Sequence, residues 1–308
     1  MSDKVSSVNN IYKLDGRVPI VKAIPFGLQH ILAMFVANLA PLSIVAAAGG
    51  LSQDEIAILL QNAMFVAGIA TLIQLYPVWK VGTKLPIVMG VSFTFVTVLS
   101  TVAVNYGYPA VIGAVLLGGI FEGTLGLLAK YWRKIISPIV AASVVTAIGF
   151  SLFTVGARSF GGGYVEDFGS AKNLILGTIT LVVCLVWNCI AKGYLKQLSV
   201  LAGLVVGYIV AICMGKVDLS VIFSDGFIAL PRLLPYKPEF NLGAIFSVCI
   251  IYLVSAAETI GDTTAMVSSG LNREITDKEI SGSLACDGYS SAISSLFGCP
   301  PEIGRAHV

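Results

Sequence analysis

Residues 250–266 read IIYLVSAAETIGDTTAM, an apolar run long enough to enter a bilayer that also carries two carboxylates, Glu258 and Asp262. Residues four apart on a helix lie on one face, one turn above the other. The spacing therefore predicts that both acids line a single groove. An acid inside a span costs about 2.5 to 3.5 kcal/mol even on the lenient insertion scale, so such residues mark an ion or substrate pathway. The alternative is a helix that leaves the membrane before Glu258, although polar sequence takes over only after Met266.

The composition is that of a polytopic membrane protein. The 308 residues are 56% hydrophobic and 12% charged, with a mean hydropathy of +0.88, far more apolar than a soluble domain. The net charge of +2 does not indicate a nucleic-acid partner. Residues 1–16 are polar and contain no signal-peptide pattern. Six cysteines lie in or beside apolar runs without metal-ligand spacing, so we expect neither disulfides nor a metal site.

Apolar runs of about 20 residues predict membrane spans. We count nine of them, at residues 24–45, 56–78, 85–104, 109–129, 135–155, 174–190, 198–214, 242–266 and 282–296. If the N-terminus is cytoplasmic, 13 of the 19 Lys and Arg residues fall on the inner side, five fall on the outer side and Arg305 lies in the tail. This positive-inside bias predicts a multi-pass protein of the cytoplasmic membrane with residues 1–23 inside.

The third predicted span contains a stretch that resembles a strand. Residues 91–98 are β-branched and aromatic, and Ser92 and Thr94 alternate with Phe93 and Phe95, a period of two. Extended backbone at membrane depth is tolerated only where protein or a water-filled cavity covers it. If the stretch is extended, its backbone groups can bind a polar ligand while Phe93 stacks on it. A β-branched helix is the alternative.

Four further polar residues lie in predicted spans. Gln29 and His30 come early in the first span. Two interpretations are open: both residues support a site, or His30 is hydrogen-bonded locally near the membrane interface. Asp287 in the ninth span either joins helix ends through a hydrogen bond or takes part in coupling. Glu122 lies among small residues that suit helix packing, which favours a structural role.

A weak internal repeat accompanies these spans. Residues 52–55 (SQDE) and 276–279 (TDKE) are both capping-box patterns followed by isoleucine. They are 224 positions apart, and the same offset places Asn38 on Asp262. The long, proline-containing segment 215–241 is the predicted boundary between the repeats. Inverted repeats of this kind place substrate sites near the midplane between them.

Several motifs in order resemble those of the nucleobase-ascorbate transporter family, also called the second nucleobase:cation symporter family. They are FGLQHILAMF, LPIVMGVSFTFV, GGIFEGTLG, DFGSAKNLILG, VSAAETIGDTTAM and the stretch from DKEISG to CDG. The similarity runs over residues 18–301, and it is strongest to bacterial xanthine/uracil permeases of the purine type.

The resemblance implies an all-α transporter fold of two inverted seven-span repeats, with a core domain and a gate domain. Residues 24–129 and 242–301 would be core spans 1–4 and 8–9, and residues 135–214 would be gate spans 5–7. Residues 215–241 would be an extracellular loop. Relatives of this type also pair as homodimers through their gate domains, so a homodimer is expected of a full-length protein.

The resemblance also implies roles for individual residues. Glu258 matches the glutamate that hydrogen-bonds the nucleobase, and Asp262 matches the polar residue linked to proton coupling. Ser92 and Phe93 match the strand that contacts the base. Gln29 and His30 match the first-span motif that shapes the site, and Asp287 matches the ninth-span aspartate.

The end of the chain departs from the family pattern. After Pro301 the family continues into a tenth-span strand, whereas this chain reads EIGRAHV over residues 302–308. We interpret 302–308 as an artefactual tail and the chain as a fragment of about nine spans.

The predicted function is import of a nucleobase, xanthine or a related purine or uracil, in symport with a proton or sodium and without a cofactor. An anion transporter or exchanger of the same architecture is the first alternative, although two acids in the span argue against an anion site. An intramembrane enzyme is the second, but neither GxGD nor HExxH occurs in the sequence.

Overall fold

Two short strands lie among a set of packed helices and bring distant parts of the chain together. The computed structural model describes residues 19–132, 138–163, 165, 167–217 and 230–305. Strand β1 is Val88–Val91, and β2 is Glu302–Arg305. They pair antiparallel, with Val88 opposite Arg305 and Val91 opposite Glu302.

Most of the described chain is helical. The helices are α1 (Ile20–Ala48), α2 (Gln53–Leu75), α3 (Val96–Tyr106), α4 (Tyr108–Leu127), α5 (Ala129–Trp132), α6 (Pro138–Phe160), α7 (Ala171–Ile190), α8 (Ser199–Cys213), α9 (Leu242–Leu271) and α10 (Asp277–Leu296). A 3₁₀ turn, Gly193–Leu198, connects α7 to α8.

The helices have the length and composition of membrane spans. Within the described residues, six are long and apolar enough to cross a bilayer, namely α1, α2, α4, α6, α7 and α9. The shorter α3 and α8 are also apolar. Large apolar side chains such as Phe150, Phe153 and Leu185 are exposed, as expected of surfaces that face lipid. Every predicted span overlaps one of these helices or α10, and the number of crossings stays a prediction.

The third predicted span contains an extended segment, as expected, but its predicted position is wrong. The strand ends at Val91, and residues 92–95 form a turn that leads into α3. Inside this turn the Ser92 hydroxyl accepts a hydrogen bond from the Thr94 amide at 3.3 Å. Phe95 already has helical backbone angles, φ −84° and ψ −14°. Alternating side chains do not by themselves show where the backbone is extended. A serine hydroxyl can accept a hydrogen bond from the amide two residues later, and this forms a turn instead.

Neighbouring helices satisfy the backbone of β1. The Asn38 side-chain oxygen on α1 accepts from the Val91 amide at 2.9 Å, and the Thr71 hydroxyl on α2 accepts from the Met89 amide at 3.0 Å. At Gly90 an added Cβ would collide with side chains of α1. Glycine here lets α1 approach the strand, so the extended segment is covered by protein rather than lipid.

Two side-chain caps and one left-handed residue define where three helices begin or end. Ser52 and Glu55 form the predicted capping box at α2, and Thr276 and Glu279 form the second at α10. Asn272 ends α9 in the left-handed conformation, φ 55°, which asparagine tolerates. Helix α9 therefore continues five residues beyond Met266 and includes the whole acidic stretch.

Small residues let α4 and α10 pack at backbone distance. An added Cβ at Gly119 would lie 2.6 Å from the Ala292 amide nitrogen, and one at Gly123 would lie 2.9 Å from the Tyr289 ring. These approaches leave no room for larger side chains. The contact places the inner faces of both helices beside α9, which packs on α4 and α10.

Residues 302–305 pair with β1, whereas 306–308 lie outside the described residues. This pairing does not test the origin of the tail, which stays a prediction. The predicted division into core and gate domains also stays a prediction.

Candidate functional site

Glu258 on α9 contacts the turn that follows β1. The Thr94 hydroxyl donates a hydrogen bond to Glu258 Oε2, between residues 164 apart along the chain. Both side chains are half-buried. The carboxylate therefore faces the Ser92–Phe95 turn, as the groove prediction requires, and not the surrounding lipid.

The turn itself presents one anchored and one accessible aromatic ring. Ser92 is buried, and its amide donates to the Pro301 carbonyl at 2.9 Å. Phe95 is fully buried, and its ring centroid lies 4.6 Å from that of Tyr252 on α9. Phe93 is half-buried. The Phe95–Tyr252 contact fixes the turn against α9, so that Thr94 is held at Glu258.

Asp287 on α10 is tied to its neighbours by hydrogen bonds. It is fully buried, and its Oδ2 accepts from the Thr259 hydroxyl at 2.6 Å. Its Oδ1 accepts from the Gly304 amide at 3.2 Å. Thr259 is adjacent to Glu258, so the bond joins α10 to the acidic face of α9. The bond joins the interiors of two helices and not their ends, so the choice between a structural and a coupling role for Asp287 stays open.

Electrostatic interactions with Asp287 and Glu258 connect four carboxyl groups. Asp287 interacts with both Glu258 and Asp262, and Glu122 on α4 interacts with Asp287 and Glu258. Asp262 is half-buried one turn after Glu258. We refer to Glu122, Glu258, Asp262 and Asp287 as the acid group. Like charges this close repel strongly in a medium of low dielectric constant, so their total charge depends on bound protons or ligands.

Glu122 belongs to the acid group, which the sequence reasoning missed. Its side chain is fully buried, and it lies beside the Ser255 hydroxyl without the geometry of a hydrogen bond. The surrounding glycines were interpreted as packing residues, and they are. Their close contact with α10 is also what brings Glu122 to Asp287.

The structure connects the two predicted site residues of the first span, Gln29 and His30, less directly to the Glu258 site. His30 is half-buried on α1, one turn before Met34, which packs at Gly90 of β1. The side chain of Gln29 lies outside the described residues. Asn38 is the α1 residue that hydrogen-bonds the strand. The repeat offset places it on Asp262, but it is not among the predicted site residues.

A cavity of about 560 Å³ begins one turn beyond Thr94. Thr97, Ser100 and Thr101 of α3 line one wall, and Thr154 and Arg158 of α6 line another. A helix rises 1.5 Å per residue, so the hydroxyl of Thr97, three residues after Thr94, lies close to the contact between Thr94 and Glu258. The cavity lies between α1, α3 and α6, with these hydroxyl groups and Arg158 among the apolar side chains of its lining.

Residues 21–303 match the model of the Permease family, Xan_ur_permease. The chain belongs to this family. The match covers β1, the turn that follows it and all four members of the acid group.

Relatives in the family are named for purine transport. The xanthine permease XanQ of Escherichia coli K12 is 34% identical over 307 residues, covering 94% of this chain and 66% of that protein. The uric acid permease PucK of Bacillus subtilis is 33% identical over 282 residues, covering 89% of this chain and 64% of that protein. The chain therefore spans slightly less than two thirds of the length of these curated relatives.

A solved structure shares the fold. The transmembrane domain of the cyanobacterial bicarbonate transporter BicA matches with a TM-score of 0.62 at 17% sequence identity, over 90% of this chain and 73% of that one. The chain is thus a multi-pass, largely helical permease of the same architecture.

Proposed function

We propose that this permease chain carries part of the recognition site of a nucleobase transporter, with xanthine or a related purine as substrate. One observation supports this most directly: Glu258 is held by Thr94 at the turn after β1. A carboxylate accepts hydrogen bonds and donates none when ionised. A purine offers ring N–H groups and a flat π face, which match an acceptor next to an aromatic side chain.

The recognition would use both sides of the groove. Glu258 accepts from ring N–H groups of the base, and Phe93 stacks on its face. Ser92 contributes through the backbone of the turn. Gln29 and His30 would support the site from α1. The cavity beside α3 provides the approach, since its hydroxyl groups can replace water around a polar ligand.

The acid group supplies a reason for coupling to a cation. Buried like charges are costly, so binding of a proton at Glu258, Asp262 or Asp287 lowers the cost of the remaining charges. We propose a proton, with sodium as the alternative ion, and no cofactor. Substrate and proton would be released together when the acid group changes its exposure.

The alternative of an anion exchanger rests on the architecture that BicA shares. The acid group repels an anion unless its members are protonated, so these residues favour a neutral base over an anion. We further propose that the protein resides in the cytoplasmic membrane with the N-terminus inside and forms a homodimer at full length.

Uptake of radiolabelled xanthine tests the proposal. Cells would express a version extended over the remaining third of the relatives' length, as wild type, Glu258→Gln or Glu274→Gln. Glu274 is an exposed control in the α9–α10 loop. We expect the wild type and the control to take up xanthine, and a proton uncoupler to abolish this uptake. Glu258→Gln should not take up xanthine. Uptake that is indifferent to both the uncoupler and Glu258→Gln refutes the proposal.

A further inference from the structure

A second cavity lies at the end of the helices where three connecting segments meet. Its volume is about 690 Å³. The α2–β1 segment, the α4–α5 junction and the first turn of α10 form its walls. The lining includes Trp79, Lys80, Lys84, Lys130, Asp277, Lys278 and Glu279.

The walls carry more positive than negative charge. Four lysines from the three segments, Lys80, Lys84, Lys130 and Lys278, line the space and are exposed. Two acids also face it. Glu279 is engaged by Arg273 through bonds of 2.5 and 3.0 Å, which offsets its charge, and Asp277 is the other. The balance is therefore cationic even with both acids counted.

The backbone around the cavity is fixed. The Gly82 amide donates to the Gly282 carbonyl of α10 at 2.9 Å. The amides of Thr83 and Lys84 both donate to the Gln74 carbonyl of α2, at 3.1 and 2.9 Å. The loop is thus joined to two helices, and the lysines project from a scaffold that does not need to be ordered by a ligand.

Exposed aromatic residues indicate the depth of the cavity in a bilayer. Trp79, which lines the cavity, is 75% exposed. Tyr76 and Tyr131, each next in sequence to a lining residue, are 74% and 80% exposed. The Lys80 ammonium lies 5.1 Å from the centre of the Trp79 ring. Tyr and Trp concentrate at the level of lipid headgroups, where their rings contact both acyl chains and water. The cavity therefore lies at headgroup depth.

We propose that this cavity binds the phosphate of an acidic phospholipid headgroup from the adjoining leaflet. Lysine ammonium groups bind phosphate oxygens, and basic pockets between membrane helices on the cytoplasmic side bind acidic headgroups. The exposed aromatic residues favour a lipid over free phosphate, because they offer acyl chains an adjoining surface. This inference does not depend on the transported substrate.

Native mass spectrometry of the detergent-solubilised 308-residue chain tests the proposal. The probes are phosphatidylglycerol, phosphatidylcholine with the same acyl chains, and inorganic phosphate. The cavity variant is Lys80→Gln/Lys130→Gln/Lys278→Gln. The matched control, Lys172→Gln/Lys192→Gln/Lys237→Gln, removes three exposed lysines elsewhere. A further variant replaces the three cavity lysines with arginine, which keeps the charge.

We expect phosphatidylglycerol to bind the wild type, the control and the arginine variant, and to bind the cavity variant at least about tenfold more weakly, since each lysine near a headgroup contributes about fivefold. Equal binding of phosphatidylglycerol and phosphatidylcholine overturns the proposal. So does competition by inorganic phosphate at equal concentration, which would identify a free-phosphate site. Unchanged binding in the cavity variant overturns it as well. Retained binding by the arginine variant shows that a loss in the cavity variant comes from charge and not from misfolding.

Discussion

Removal of the Thr94 hydroxyl tests whether the turn after β1 orients Glu258. Thr94→Val keeps the shape of the side chain and deletes the donor that Glu258 Oε2 accepts from. Thr94→Ser keeps the donor and deletes a methyl group. If the bond positions the carboxylate for a base, valine weakens substrate binding and serine does not.

The size of the effect follows from the burial of the pair. A hydrogen bond to a charged group contributes about 1.5 to 3 kcal/mol. Both partners are half-buried, so water replaces part of the lost bond and the expected loss lies at or just below the lower end of this range. A loss of about 1 to 1.5 kcal/mol corresponds to a roughly five- to twelvefold increase in the Kd for xanthine.

Equilibrium binding of radiolabelled xanthine to the purified protein, extended to the length of its relatives, provides the measurement. Thr146→Val on α6 is the matched control, because that hydroxyl is exposed and bonds only to Ala142 of its own helix. We expect a Kd within about threefold of the wild type, or about 0.7 kcal/mol, for the control and for Thr94→Ser. Wild-type affinity in Thr94→Val, or an equal loss in Thr94→Ser, would refute the reasoning.

Three further predictions concern stability and pH. Thr259→Val removes the 2.6 Å bond to buried Asp287 and should reduce the free energy of unfolding by about 2 to 3 kcal/mol, whereas Thr259→Ser should not, as denaturant unfolding would show. Gly119→Ala forces a methyl group against α10 and should cost about 1 to 3 kcal/mol in the same assay, whereas Gly149→Ala meets no atom within 4 Å and should be neutral or slightly stabilising. Lys216 lowers the pKa of Asp167 below its usual 3.8, so their 2.7 Å ion pair is fully formed above pH 3.8 and is lost as the pH falls through the lowered value. Hydrogen exchange in the 161–170 loop should rise over that acid range, and Lys216→Gln should weaken this dependence, while the bonds of Asp167 to Asn173 and Ser170 remain.

Much of the site was predictable because buried charge in an apolar run is a strong signal. The spacing of Glu258 and Asp262 placed them on one face, and the expectation of a nearby extended segment was correct. The bounds of that segment were wrong because the partners that hold β1, Asn38 and Thr71, come from other helices. The spacing of residues along the sequence does not show which distant segments pack together.

The contacts of two residues near Glu258 could not be predicted from the sequence, for the same reason. Thr94 was noted only as part of an alternating pattern, yet it is the residue that contacts Glu258. The structural role of Glu122 stays a prediction, and the structure adds its electrostatic interaction with Asp287 and Glu258. Both roles depend on how α4, α9 and the turn pack together. A resemblance to a family identifies matching positions, but it does not supply those distances.

The glycine-lined contact of α4 with α10 has a consequence for motion. Two helices whose main chains touch at several glycines resist sliding and rotation, so we expect Glu122 and Asp287 to keep their separation. Thr259 connects α9 to the same pair through one hydrogen bond. We therefore expect a rearrangement that exposes these carboxyls to opposite sides of a bilayer to move the three helices together.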